Sequence, residues 1–392
     1  MNRRHFISTT LGGLSMLPFS SLAEIITSDP ELQQQLQAEP RKRLRELGIK
    51  IGTLETGPFN ALTDVEGVKV GQATIIKGNG KDAARTGVTA ILPHSGNIYE
   101  ENLFASYFDL NGWGEMTGIA SVENSGLLQT PIFLTGTYNV GIVYNAALKY
   151  LAKINPTMGV TDEMACPIVA ECLDDFLSDT PGRQIGDEDV FRAIEEAKSG
   201  PVAEGAVGGG TGMTSFGFKG GIGTSSRRTK DKYTVGVLVM TNTGGREELR
   251  IDGVPVGRMI KRYDYKTGRT KSIILIAATD APLLPFQLKK MAKRVALGLA
   301  KVGATSHTGS GDIMLAFSTA NRISQVKPAP VREIKSVSDF WITPLYQATV
   351  EATQEAILNA LTMAQTIVGR DDNTAFGLPL DQVQSIMKRY SW

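Results

Sequence analysis

The chain has 392 residues, 42% of them hydrophobic and 21% charged, a globular composition with enough material for one large domain or two medium ones. Its 41 Lys and Arg balance 40 Asp and Glu, so no overall field draws it to nucleic acid or an anionic membrane. Three His and two Cys are too few for most metal centres or a disulfide framework, whereas Gly, at 42, is overused.

Residues 1–23 carry the pattern of an export signal. Arg3-Arg4 precedes His5-Phe6-Ile7, a short apolar run from Leu11 to Leu22 follows, and Ser21-Leu22-Ala23 forms a small-residue cleavage site. The paired arginines point to the twin-arginine route. The run is too short and too rich in Ser and Gly to span a bilayer, so a periplasmic or secreted location is expected. Its removal takes away Arg3 and Arg4 and no acid, shifting the net charge from +1 by −2 to −1, and leaves only His94 and His307.

Residues 24–48 read as a polar, helical arm ending in Arg41, Lys42, Arg43 and Arg45, a run expected to be a solvated face. Residues 49–392 read as one domain. Val68–Ile76 and Gly87–Pro93 predict two strands joined by a turn. Leu134–Thr137 and Val140–Val143 are further short β segments ahead of a helix near Tyr144–Lys153. Pro167–Phe176 reads as a helix with Ile168, Glu171 and Asp175 at one-turn spacing. That helix would separate Cys166 and Cys172 by roughly 240°, a poor geometry for a disulfide. Between Ser199 and Thr224 ten of 26 residues are Gly. No Gly-Lys-Ser/Thr and no G-x-G-x-x-G opening a helix accompanies them, so close backbone approach explains them better than a phosphate cradle.

Tyr233–Met240 is a buried-strand pattern ending near Asn242. The basic stretch Lys261–Lys271 is expected to be a surface loop, and Ser272 stands between it and the apolar run Ile273–Ala278. A helix from Pro285 places Leu288, Met291, Val295, Leu299 and Val302 on one face and stops at Gly303. Ser310-Gly311-Asp312 leads into the strand Ile313–Phe317. A long helix is expected from Thr343 to Ile367. The pattern is α+β, two sheets flanked by helices in αββα layers, with no internal repeat.

Which nucleophile could this chain activate? A Ser-His-Asp arrangement needs a His base, and His307, three residues before Ser310, is the better of two candidates. A second route needs no His: cleavage before a Ser frees an α-amine that acts as base for the same residue's hydroxyl. With a reference pKa of about 8, such an amine works near neutral pH. Ser272, after a cuttable loop and at the head of a rigid strand, is placed for this. Ser310 and Asp312, two apart on an extended segment, can form a hydroxyl-carboxylate relay that orients it. The side-chain NH2 of Asn242 could hold an oxyanion. Glu171 is either a solvated helix residue or a buried anchor for a cation.

Several long segments together resemble the DmpA/BapA-type aminopeptidases, the N-terminal-nucleophile family of β-peptidyl aminopeptidases and L-aminopeptidase/D-esterases. They are Asn60–Gly71, Arg85–Thr89, Gly200–Gly205 with the Gly208–Met213 turn, Ala278–Leu283, and Ser310-Gly311-Asp312 with Leu315–Thr319. The resemblance covers residues 46–392. It implies a DmpA-type four-layer αββα sandwich, self-cleaved at Lys271-Ser272 into a larger chain, 24–271, and a smaller one, 272–392. It implies Ser272 as nucleophile, Ser310 and Asp312 as relay, Asn242 as oxyanion donor and Glu171 as the carboxylate that grips the substrate's free amine. The residue two beyond that Glu is Tyr in D-esterase-like members and Leu in β-peptidyl ones, so Leu173 implies a preference for N-terminal β-amino acids. Lys271 replaces the family's small or amide-bearing residue before the nucleophile, and Asp312 is shorter than the Glu of some members. No metal or other cofactor is implied. The expected partners are short peptides or amides with a free N-terminal amine and further copies of the chain, as a tetramer of cleaved heterodimers. The other readings are an L-α-aminopeptidase/D-amino-acid esterase-amidase, an acyl transferase and a non-catalytic anion-binding module.

Overall fold

In chain order the main strands are β1 (Lys69–Lys77), β2 (Ala84–Leu92), β3 (Glu101–Gly112), β4 (Leu127–Leu128), β5 (Ile132–Gly136), β6 (Ile168–Cys172), β7 (Gly221–Arg228), β8 (Thr234–Asn242), β9 (Lys271–Thr279) and β10 (Ser310–Ser324). They come from a computed structural model that describes residues 40–261, 271–326 and 329–390. One sheet has the order β1-β2-β5-β6 and the other β4-β3-β10-β9-β8-β7.

Alternation along the strands makes the layers. Ile274, Ile276 and Ala278 of β9 and Ile313, Leu315 and Phe317 of β10 meet Leu134, Ile168 and Ala170 of the first sheet in a core between the sheets. The opposite faces are covered by helices. Val143, Ala146 and Ala147 of α1 (Val140–Ile154) and Val190 and Ala193 of α2 (Asp187–Glu195) pack on the first sheet. Leu288, Met291 and Val295 of α3 (Pro285–Lys301) and Ala352, Ala356 and Ala360 of α4 (Thr343–Met363) pack on the second. The fold is α+β with αββα layers, as the sequence predicts. No helix among the described residues is long and apolar enough to cross a membrane.

Three expected elements change. Pro167–Phe176 is not a helix: Ile168–Cys172 is β6, buried along its whole length and parallel to β5, so it lacks the alternation that would mark a strand. Cys166 is exposed and Cys172 buried, both as free thiols. Val140–Val143 is the first turn of α1 rather than a β segment, its apolar positions following the helical period. The long helix ends at Met363, and Ile367–Val368 pairs with Thr374–Ala375 instead.

The basic run of the arm is not a solvated face either. Among residues 40–48 only Leu44–Leu47 is helical, as a single 3-10 turn. Arg41 donates to the carbonyls of Thr362 (2.8 Å) and Leu378 (2.9 Å), Arg43 pairs with Glu204 (2.7 Å), and Arg45 pairs with Glu355 (2.8 Å). Lys42 alone of the four is exposed. Residues 1–39, holding the expected export signal and most of the arm, and 262–270, holding most of the expected surface loop, lie outside the described residues.

Glu355 also meets Arg227 at 2.6 Å, and neither side chain has any exposed surface. Burial pulls the Glu355 carboxyl upward, but Arg227, Arg45 and Asn60 outweigh it and hold the pKa below the ordinary glutamate value. A depressed pKa means that the network's stabilisation is present above the ordinary glutamate range and is lost as pH falls through the folded value. Arg227→Met removes the fully buried partner of Glu355, leaving it Arg45 and Asn60, and should cost about 3 kcal/mol at pH 7. Denaturant unfolding should show this deficit narrowing in acid.

Candidate active site

The site is set by strand pairing. β8 runs antiparallel to β9 with Asn242 opposite Ser272, and β10 runs parallel to β9 with Gly311 opposite Ser272. Ser272 alternates in step with Ile274 and Ile276, and Asn242 in step with Leu238 and Met240, so both belong to the faces between the sheets. The Gly311 N–H donates to Ser272 Oγ at 3.2 Å. A Cβ on Gly311 would lie 2.7 Å from Gly114 Cα, so the strand that meets Ser272 passes the β3 end in direct backbone contact.

Ser310 stands opposite Lys271 and Asp312 opposite Ile273. The pair therefore flanks the Lys271-Ser272 peptide, while Gly311 is level with the Ser272 side chain. Ser310 Oγ donates to Asp312 Oδ1 at 2.6 Å. Asp312 is fully buried, and its Oδ2 has no hydrogen-bond partner. Burial raises its pKa, against the bond from Ser310.

Asn242 is held at both ends of its amide. Its Oδ1 accepts from the Thr214 N–H at 2.9 Å, and its Nδ2 donates to the Leu173 carbonyl at 2.8 Å, leaving one amide proton uncommitted. Glu171, at the end of β6, accepts from the Glu115 N–H at 3.0 Å and from the Thr137 hydroxyl. Burial pushes its pKa up, and these two bonds oppose the shift. Ser272, Glu171, Thr137, Leu173, Glu115 and the exposed Trp113 line a cavity of about 510 Å³. A hydroxyl on the floor and a desolvated carboxylate on the wall face one space, the arrangement for a substrate with a cation next to a reactive carbonyl.

The two other chemical readings lose their basis. His307 sits beside Glu248 at 2.9 Å and is 45% exposed, while the Ser310 proton goes to Asp312. His94 is buried against the Glu101 carbonyl at 2.8 Å, and burial lowers its pKa. In the glycine-rich turn Gly208, Gly209 and Gly210 are buried, and their N–H groups are spent on Thr74, Thr89 and Val207. None of these three N–H groups is left for an anion. Among the described residues no group of three His, Cys, Asp or Glu could hold a metal ion.

The profile of peptidase family S58 matches residues 60–375. The chain belongs to this family. It is 41% identical over 372 residues to the β-peptidyl aminopeptidase BapA of Sphingosinicella microcystinivorans, covering 89% of this chain and 92% of that one. A β-aminopeptidase from a Burkholderia species has the same fold, with a TM-score of 0.84 and 40% identity over 90% of this chain and 99% of its own. The L-aminopeptidase D-Ala-esterase/amidase of Ochrobactrum anthropi, a variant of the Ntn hydrolase fold, matches with a TM-score of 0.84 and 38% identity over the same shares. The chain is thus a peptidase of the S58 family on a DmpA-type fold.

In this S58 peptidase, sequence reasoning missed Thr137, Thr214, Glu115, Trp113 and Lys219. Thr137 carried a signal, since Gly136-Thr137-Tyr138-Asn139 ends a strand with a polar cluster. Lys219 carried none: a lysine among glycines reads as surface, yet it is fully buried. Glu171 yields a prediction without reference to catalysis. Because its folded pKa is raised, its charge costs stability above that pKa and nothing below the ordinary glutamate value. Glu171→Gln should therefore unfold at higher denaturant than the parent at pH 7, and the gain should vanish in acid.

Proposed function

We propose that the chain is an exported β-peptidyl aminopeptidase that matures by its own cleavage between Lys271 and Ser272. The observation that carries this reading is the row Asn242, Ser272, Gly311 across three paired strands, with Ser272 lining a cavity that Glu171 also lines. In the uncut chain the Ser272 nitrogen is an amide and has no basicity. Attack of Ser272 Oγ on the Lys271 carbonyl converts that amide to an ester and turns the nitrogen into an amine. Water then splits the ester, leaving a Lys271 carboxylate and a free Ser272 α-amine.

Catalysis follows from the same groups. The substrate ammonium pairs with Glu171, and its carbonyl lies over Ser272. Ser272 Oγ attacks and its proton passes to the α-amine, with Ser310 and Asp312 beside that nitrogen. The free Nδ2 proton of Asn242 stabilises the oxyanion, a contribution of about 3 kcal/mol for such donors. Collapse returns the proton to the leaving amine and leaves an acyl ester on Ser272, which water hydrolyses. Leu173 lines the cavity together with Glu171 and Ser272, and this leucine and the 41% identity to BapA both support a preference for N-terminal β-amino acids. Residues 1–23 support export, and the exposed Phe340 and Trp341 give further copies of the chain an apolar surface to cover.

Ser272→Ala should give one uncut, inactive chain by intact-mass spectrometry, and a variant still cut at Lys271 would overturn self-cleavage. The wild type should hydrolyse a β-alanine anilide faster than an α-alanine anilide; the reverse order would favour the L-α-aminopeptidase/D-esterase reading. Glu171→Gln should raise KM about tenfold or more while changing kcat less, the mark of a group that binds the amine in ground and transition states alike.

A further inference from the structure

We propose that Lys219 is a positioning residue that keeps the Asn242 amide turned toward the reacting carbonyl, acting through the peptide between Met213 and Thr214. The proposal rests on the reading that Asn242 stabilises the oxyanion. Lys219 has no exposed surface, and its Nζ donates to three carbonyls, Gly210 (3.1 Å), Met213 (2.6 Å) and Gly220 (2.8 Å). An ammonium has three protons, so all are used, and all go to one turn and its return strand.

The Met213 carbonyl and the Thr214 N–H belong to one planar trans peptide and point to opposite sides of the chain. Lys219 and the Gly220 N–H, at 3.0 Å, hold the carbonyl side. The N–H side then points at Asn242 Oδ1. An ammonium on the carbonyl also polarises the peptide and strengthens its N–H as a donor. This matters because an Asn amide reads almost the same either way round by shape. What tells its ends apart is a donor at Oδ1 and an acceptor at Nδ2, supplied by Thr214 and Leu173. If the peptide rotates, Oδ1 loses its fixed donor, and the amide can present its oxygen to an oxyanion it is meant to stabilise. Burial lowers the Lys219 pKa to about 7, opposed by the carboxylate of Asp174, and the three carbonyls favour the protonated form. A surface lysine would have closed the hairpin at less cost, which argues for a role beyond hairpin closure.

The test is a double-mutant cycle of Lys219→Met and Asn242→Ala in the full chain, read as kcat per cleaved molecule on a β-alanine anilide, with cleavage counted by intact mass. The half-time of self-cleavage is read in the same cycle. Lys219→Met alone should lower kcat about tenfold with KM nearly unchanged, and should cause no further loss in the Asn242→Ala background. A lower melting temperature with unchanged kcat, or losses that multiply in the double variant, would overturn the proposal. If Asn242→Ala alone leaves kcat intact, the oxyanion reading falls and this one with it. If Asn242→Ala slows turnover and Lys219→Met does not, only this proposal falls. Should Lys219→Met not fold, Lys219→Gln, which keeps two donors and no charge, enters the same cycle with the same expected non-additivity.

Discussion

Pairing of β8, β9 and β10 is the constraint on which the site depends. β9 and β10 are parallel, so the chain must cross over between them, and residues 280–309 with α3 form that crossover. The crossover brings the starts of two strands, at Ser272 and Ser310, to one end of the sheet, where the antiparallel β8 finishes at Asn242. A slip of one residue would turn Ser272 to the helix side and leave Asn242 facing it across the wrong face. Apolar patterning alone does not prevent that slip, because β9 is apolar on both faces. Local fit does. Gly311 lies against Gly114 with no room for a Cβ, so a side chain brought to that position by a shifted register would collide with backbone.

The buried charges around Glu355 and around Ser272 behave oppositely, although burial also wins at Glu204, which Arg43 pairs with but which is still raised to about 7. Around Glu355 the cations Arg227 and Arg45 outweigh burial and keep the carboxylate ionised, so the network ties the arm, β7 and α4 together. Around Ser272 burial wins. Glu171 and Asp312 are raised, and Asp174 beside Leu173 is raised to about 6, all chiefly by desolvation. Among the described residues no cation forms an ion pair with Glu171 or Asp312, and each makes do with hydroxyl or N–H donors. Carboxylates kept desolvated without a fixed counter-charge are costly to a fold and useful to a site whose cation arrives with the substrate.

Much of this was legible in the sequence because it rests on short-range rules. The two-residue spacing of Ser310 and Asp312 predicts a shared side, and their hydrogen bond has that geometry. The Pro285 helix follows from its 3.6 period, and the glycines from the need for close approach. What failed depended on tertiary context. β6 is buried on both faces, which erases alternation and left Glu171 apparently on a helix. The arm's arginines look solvated until Glu204 and Glu355, 161 and 310 positions away, are brought to them. In α4 the whole surface from Glu351 to Thr362 is buried, so its polar residues gave no clean apolar stripe. Lys219 has meaning only through three carbonyls that no local pattern announces.

Scarce histidine is the compositional fact with the longest reach. With His94 buried and His307 held beside Glu248, the proposed mechanism has no imidazole to use, and Lys219, which burial lowers to about 7, spends its protons on three backbone carbonyls. An α-amine needs much less adjustment, but it exists only after cleavage, which ties the base to the same event that frees the nucleophile. Asp312 Oδ2 fits this order of events. It is a buried acceptor without a donor, and it lies on the strand that flanks the Lys271-Ser272 peptide. Cleavage would replace one amide N–H there by an amine that becomes an ammonium when it takes the hydroxyl proton. A carboxylate whose second oxygen is unused before that moment is then positioned to respond to the charge when it appears, and the same desolvation that raises the Asp312 pKa strengthens its attraction to that charge.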